Sequence, residues 1–169
     1  RQAFKVWFEK HQKSMEIVAI NDLADAKTLA HLLKHDSVYG VWGHEVVGTN
    51  LVDDIKSAPE GQQVGKISVD GIEIATYGTR DPANLPWKDL KVDVVIESTG
   101  RFTKLEEASK HISAGAKKVV VSAPAKETPT VLLGVNEDTY KGQVVINNAS
   151  CTTNCIAPVA RVINDAFAL

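Results

Sequence analysis

Three observations predict an α/β fold built on a mainly parallel sheet. Short apolar runs end in polar residues, at Asn21-Asp22, Ser98-Thr99-Gly100, Ser122 and Asn148-Ala-Ser150. Segments with helical apolar spacing lie between several of these runs, so strand and helix alternate along the chain. Several runs are continuously apolar, as strands covered on both faces of a parallel sheet are. The 169 residues carry a net charge of −2, with 44% hydrophobic and 24% charged residues. This is the composition of a globular domain. It excludes disordered, collagen-like and low-complexity classes, and the near-neutral balance argues against a general nucleic-acid or anionic-membrane binder. No apolar run approaches the ~20 residues that span a bilayer.

The elements follow in order. Phe4, Trp7, Phe8 and His11 recur at helical spacing, so residues 1–13 read as an amphipathic helix without a start signal. Glu16-Ile-Val-Ala-Ile-Asn-Asp22 reads as a buried strand with a polar end, and Asp25 as the cap of a second helix that buries Leu29, Leu32 and Leu33. Residues 37–68, broken by Gly40, Gly43, Gly48, Pro59, Gly61 and Gly65, read as loop-rich. Alternating apolar residues around Asp70-Gly71 signal a hairpin with a type I′ turn. Val92-Asp-Val-Val-Ile-Glu97 reads as a buried strand. Thr103, with Glu106, reads as the capping box of a helix running to about Ala114 and stopped by Gly115. Lys117 to Ser122, Thr130 to Gly134 and Val144 to Asn147 read as further strands, and Ser150 as the cap of a last helix reaching Leu169. No repeat or interdomain linker is visible.

In open α/β sheets ligands bind beyond the C-terminal ends of the strands, so the polar residues there are the candidate site. An acidic residue ending a strand about 20 positions after a Gly-rich turn would bind an adenosine ribose. Asp22 would sit at that distance from a turn ending before Arg1; the competing reading is an Asp that merely opens a turn.

Ser150-Cys-Thr-Thr-Asn-Cys155 is the sharpest motif. With Ser150 as cap, Cys151 falls in the first helical turn, where unpaired N–H groups and the helix dipole favour an anion, hence a thiolate. The hydroxyls of Ser150, Thr152 and Thr153 could hold a phosphate or an oxyanion there. The bland alternative is a buried structural cysteine. Cys155, beside Ile156-Ala157, is expected to be buried packing. The C-x₃-C spacing has no nearby His or third Cys to complete a zinc site, so no metal is expected. His11, His31, His35, His44 and His111 read as surface or satisfied helical histidines, and Trp7, Trp42 and Trp87 as packing residues. Two cysteines make no secreted disulfide framework and no signal peptide is recognisable, so a cytoplasmic location is expected.

Ala149-Ser-Cys-Thr-Thr-Asn-Cys-Ile-Ala-Pro158 resembles the active-site signature of the phosphorylating glyceraldehyde-3-phosphate dehydrogenase family. Val18-Ala-Ile-Asn-Asp-Leu23, Leu32-Leu-Lys-His-Asp-Ser37, Arg80-Asp-Pro82, Glu97-Ser-Thr-Gly-Arg-Phe-Thr103, Val121-Ser-Ala-Pro124 and Gly134-Val-Asn136 match the same family in the same order. The resemblance is weakest over residues 41–66, where a longer, different loop stands.

The resemblance implies a Rossmann-type NAD-binding domain over residues 1–149, lacking its first strand, and the start of a catalytic domain over 150–169. Cys151 matches the nucleophile, with Ser150 and Thr152 where the family contacts substrate or phosphate. Asp22, Arg80, Thr99, Gly100 and Ser122 match cofactor contacts, Phe102 lies on the adenosine side, and the carboxylate of Asp22 would favour NAD over NADP. The implied partners are glyceraldehyde 3-phosphate and inorganic phosphate, in a homotetramer. By the same resemblance Arg1 matches the end of the Gly-rich fingerprint, and the general-base His and second phosphate site lie beyond residue 169, so the segment alone is expected to be inactive. Two alternatives stand: an erythrose-4-phosphate dehydrogenase, which shares the Cys signature, and a truncated, non-catalytic nucleotide-binding or interaction protein.

Overall fold

A computed structural model describes residues 1–168, which divide into two compact units, Arg1–Leu85 and the residues from Pro86 onward. The first unit opens with α1 (Gln2–Lys10), whose Phe4, Trp7 and Phe8 all point inward, as their spacing predicts. β1 (Ala19–Asn21) follows, then α2 (Ala26–Lys34), capped by Asp25, which accepts the Thr28 N–H. The buried stripe of α2 is Ala26, Ala30 and Leu33; Leu29 is half-buried, but Leu32, expected inside, is exposed. The small residues let α2 lie close to its neighbours, and the stripe through Ala26, Ala30 and Leu33 leaves Leu32 on the outer side of the helix.

The stretch read as loop contains β2 (His35–Asp36), β3 (Gly40–Val41) and β4 (Val46–Asn50). β5 (Gln63–Val69) and β6 (Ile72–Tyr77) then form the expected hairpin. Its turn residues Asp70 and Gly71 hold φ values of 47° and 86°, the left-handed pair that a type I′ turn demands. The sheet order is β1-β6-β5-β4, with β1 parallel to β6 and the other pairs antiparallel. β4 escaped the sequence reading because Gly48 interrupts it. A Cβ there would lie 2.1 Å from the Ala26 carbonyl oxygen, so the glycine is what lets the start of α2 pack on the strand. The core joins Phe4, Trp7, Phe8, Trp42, Leu33, Ile67, Val69 and Ile74. The buried indoles keep their polar ends satisfied: Trp7 donates to the Met15 carbonyl and Trp42 to Glu9 Oε1, both at 2.8 Å.

The second unit is a parallel sheet, β7 (Val94–Glu97), β8 (Lys118–Val121) and β9 (Val145–Asn147), in that order. Two single-turn helices, α3 (Leu105–Ala108) and α4 (Lys110–Ser113), separate β7 from β8, and α5 (Cys151–Phe167) follows β9. One sheet face, with Val95, Val119, Val121 and Val145, packs against Ala108 and Ile112. The other leaves Val94 and Ile96 49% and 59% exposed, so β7 is not the doubly buried strand expected from its apolar run. Periodicity reports that a residue is apolar, not whether anything covers it.

Three further expectations are corrected. The helix after Thr103 is broken at Ser109, and Thr103 does not cap it; its carbonyl accepts the Lys126 N–H instead, and Lys104 stands at the cap position. Residues 130–134 form no strand: Thr130 makes a single bridge to Asn147 and the chain then turns. α5 buries no residue, so Cys155 is exposed rather than packed. Leu169 lies outside the described residues. Among those residues no helix is long and apolar enough to cross a membrane.

Candidate active site

In the first unit the strand ends are tied together by side chains. The Asn21 amide donates to the Thr79 carbonyl and accepts the Thr79 N–H, both at 2.9 Å. Asp22, just beyond β1, is exposed; its Oδ1 accepts the Ala24 N–H at 2.9 Å, which leaves Oδ2 for a ligand. Such an Asx turn orients the carboxylate without consuming it. Arg80 is exposed, and its turn is held from below: the Glu60 carboxylate accepts the Arg80 N–H at 3.1 Å and the Asp81 N–H at 3.3 Å.

In the second unit the parallel register aligns Glu97, Val121 and Asn147, so the segments that leave β7, β8 and β9 emerge at one edge. Thr99 and Gly100 follow β7, Gly100 at φ 74°. Ser122 follows β8, its N–H donating to the Glu97 carbonyl at 2.9 Å. After β9 the chain turns through Asn148 and Ala149 to Ser150, whose Oγ accepts the Thr153 N–H at 3.0 Å as the cap of α5. The cap predicted from sequence is therefore formed, and Cys151 begins the helix with its side chain exposed. Thr152 is exposed beside it, and Phe102 is half-buried against His111. Topology thus brings Thr99, Gly100, Ser122, Ser150, Cys151 and Thr152 to the C-terminal edge of one sheet, where α/β folds bind ligands.

The residues of this edge supply two parts of a nucleotide site, a glycine turn and a hydroxyl-lined helix N-terminus. Among the described residues no cluster of His, Cys, Asp and Glu could hold a metal ion.

The family model for glyceraldehyde 3-phosphate dehydrogenase, NAD binding domain, matches residues 1–105. The chain belongs to this family. It is 52% identical over 160 residues to glyceraldehyde-3-phosphate dehydrogenase of Geobacillus stearothermophilus, covering 92% of this chain and 43% of that protein. It is 46% identical over 170 residues to the Bacteroides fragilis enzyme of the same name, covering 100% and 47%. The protein named cytosolic glyceraldehyde-3-phosphate dehydrogenase in Trypanosoma brucei brucei is 47% identical over 161 residues, covering 95% and 44%. The chain thus spans less than half the length of the curated relatives it matches.

The family's NAD binding domain, as matched, includes Asp22, Arg80, Thr99 and Gly100. Sequence reasoning missed the residues that support them. Glu97 is 3% exposed on the core-facing side of β7, bonded to Thr99 and to His111, itself 4% exposed. Burial pushes the Glu97 carboxyl up, but the hydrogen bonds from His111 and Thr99 outweigh this and hold it below the usual carboxylate range. Asn147, also buried, donates to Thr128 Oγ1 at 2.8 Å and accepts the Ala149 N–H at 2.9 Å. The available signal was the same in both cases: a polar residue in step with inward-facing valines.

Proposed function

We propose that this chain forms most of the NAD-binding domain, residues 1–149, and the beginning of the catalytic domain, 150–169, of a phosphorylating glyceraldehyde-3-phosphate dehydrogenase. The observation that carries the reading is an exposed Cys151 at the Ser150-capped N-terminus of α5, beyond the C-terminal edge of a parallel sheet.

In this reading the Cys151 thiolate adds to the aldehyde carbon and forms a hemithioacetal on Sγ. Bound by the cofactor residues named below, NAD would supply the hydride acceptor for the oxidation. A thioester then remains on Sγ. Attack by inorganic phosphate at its carbonyl carbon releases the acyl phosphate and returns the thiolate. The helix N-terminus favours the anionic sulfur at both ends of the cycle. The hydroxyls of Ser150 and Thr152 hold substrate or phosphate oxygens. Asp22 Oδ2 accepts from the adenosine ribose hydroxyls, Arg80, Thr99, Gly100 and Ser122 complete the cofactor contacts, and a carboxylate at Asp22 repels the extra phosphate of NADP. We further assign a homotetrameric, cytoplasmic enzyme of glycolysis.

The test is NADH formation by the full-length protein with glyceraldehyde 3-phosphate, phosphate and NAD. Rapid turnover that Cys151→Ala abolishes is the expected result. Faster turnover of erythrose 4-phosphate would reassign the substrate, and no turnover of either would reject the enzyme reading.

A further inference from the structure

Three buried side chains and the exposed Thr99 form one chain of hydrogen bonds in the second unit. Trp87 Nε1–H lies 3.0 Å from His111 Nδ1, His111 Nε2 lies 2.9 Å from Glu97 Oε2, and Glu97 Oε1 lies 2.5 Å from Thr99 Oγ1 and 2.8 Å from the Thr99 N–H. An indole nitrogen can only donate, so Nδ1 must accept. The imidazole proton is therefore on Nε2 and points at Glu97. The ionised carboxylate only accepts, so the Thr99 hydroxyl spends its one proton inward. A lone pair of the same oxygen takes the Arg101 N–H at 3.1 Å. Proton placement thus propagates from Trp87 to an exposed hydroxyl at the sheet edge.

We propose that His111 is a positioning residue for the cofactor site: through Glu97 it fixes both the place and the proton direction of the Thr99 hydroxyl. Thr99 then meets its ligand as a hydrogen-bond acceptor only, and the ligand group facing it is a donor, an amino or hydroxyl group of the nucleoside. Without the His111 N–H, one oxygen of Glu97 is buried without its donor and the carboxylate is free to rotate, releasing the turn at Ser98–Gly100. The inference rests on the reading above in which Thr99 contacts NAD.

The test is a double-mutant cycle on the full-length protein, read by calorimetric NAD binding and by the KM of the aldehyde. His111→Leu should weaken NAD binding by about tenfold with the aldehyde KM unchanged. His111→Gln, whose amide can still donate to Glu97, should restore most of the loss. Thr99→Val should also weaken binding, and adding His111→Leu to it should weaken it little further. Should His111→Leu not fold, His111→Phe, which keeps an aromatic ring at the site but offers Glu97 no N–H, carries the same cycle with the same expected dependence on Thr99. Losses that multiply in the double variant, or Thr99→Val weakening NAD while His111→Leu does not, overturn the proposal alone. Unchanged affinity in Thr99→Val rejects the Thr99 contact and the proposal together.

Discussion

Asn147 Oδ1 accepts the Ala149 N–H at 2.9 Å, and Ala149 stands at φ 63°, one residue before the cap of the cysteine helix. A left-handed alanine costs about 1 kcal/mol and persists only where its surroundings enforce it. Asn147, with the Thr128 and Pro129 carbonyls and the Thr130 hydroxyl as further partners, is that enforcement. Asn147→Ala should therefore destabilise the protein by about 3 kcal/mol and lower Cys151 alkylation and turnover together. Ala149→Gly should leave the unfolding midpoint nearly unchanged, since relieved strain and added chain entropy are of similar size. Denaturant unfolding measures both.

Both cysteines are exposed, so accessibility does not separate them. Only Cys151 lies at the helix N-terminus; Cys155 is one turn further in. Iodoacetamide should label Cys151 at least about tenfold faster than Cys155, with activity lost in step with the first label. Peptide-resolved mass spectrometry over a time course gives both rates, and equal rates would remove Cys151 as the nucleophile.

On the proposed function, Asp22 carries the cofactor discrimination. Asp22→Ala should reduce the preference for NAD over NADP by about tenfold or more, through weaker NAD binding and the loss of repulsion toward a 2′-phosphate. The ratio of kcat/KM for the two cofactors reads it directly.

Glu60 holds the Arg80 turn from the segment between β4 and β5. Glu60→Ala should weaken NAD binding a fewfold, about 1 kcal/mol, while kcat and the unfolding midpoint stay close to normal, because the freed N–H groups reach water. Calorimetry on the two proteins decides it; equal affinities would leave Glu60 with a role in loop structure alone.

The buried Glu97 makes stability fall in acid. Its carboxyl titrates below the ordinary range in the folded protein, so the folded state holds its proton less tightly than the unfolded chain. Its contribution is fully present above the unfolded carboxylate value and is lost as pH falls through the folded one. Glu97→Gln should remove this part of the pH dependence. It should also cost about 2–3 kcal/mol near neutrality, because the amide N–H₂ would face the His111 Nε2–H. Thermal midpoints of both proteins from pH 7 downward give the difference.

Much of this was legible in the sequence. Asp25 and Ser150 announce helix starts through their own hydrogen bonds to backbone N–H groups three residues on, and Asp70-Gly71 announces a turn through its φ angles. These are interactions within a few residues, which local sequence specifies. Leu32, Ile96 and Cys155 were misjudged because burial depends on what else packs there. An apolar residue is equally apolar on either face of a helix or strand.

The sequence by itself determined the α/β class, the hairpin, the capped cysteine helix and the strand-end polar residues, all of them matters of short-range geometry and alternation. Only the tertiary structure decided that Glu97 takes its partner from α4, that Asn147 holds the Ala149 turn, and that Glu60 reaches the Arg80 turn. Those contacts join residues 14 and 20 positions apart in the cases of His111 and Arg80, and the backbone path between them sets whether they meet. A buried carboxylate must find its donors wherever the fold brings them, because leaving it unpaired costs more than the fold's other choices gain.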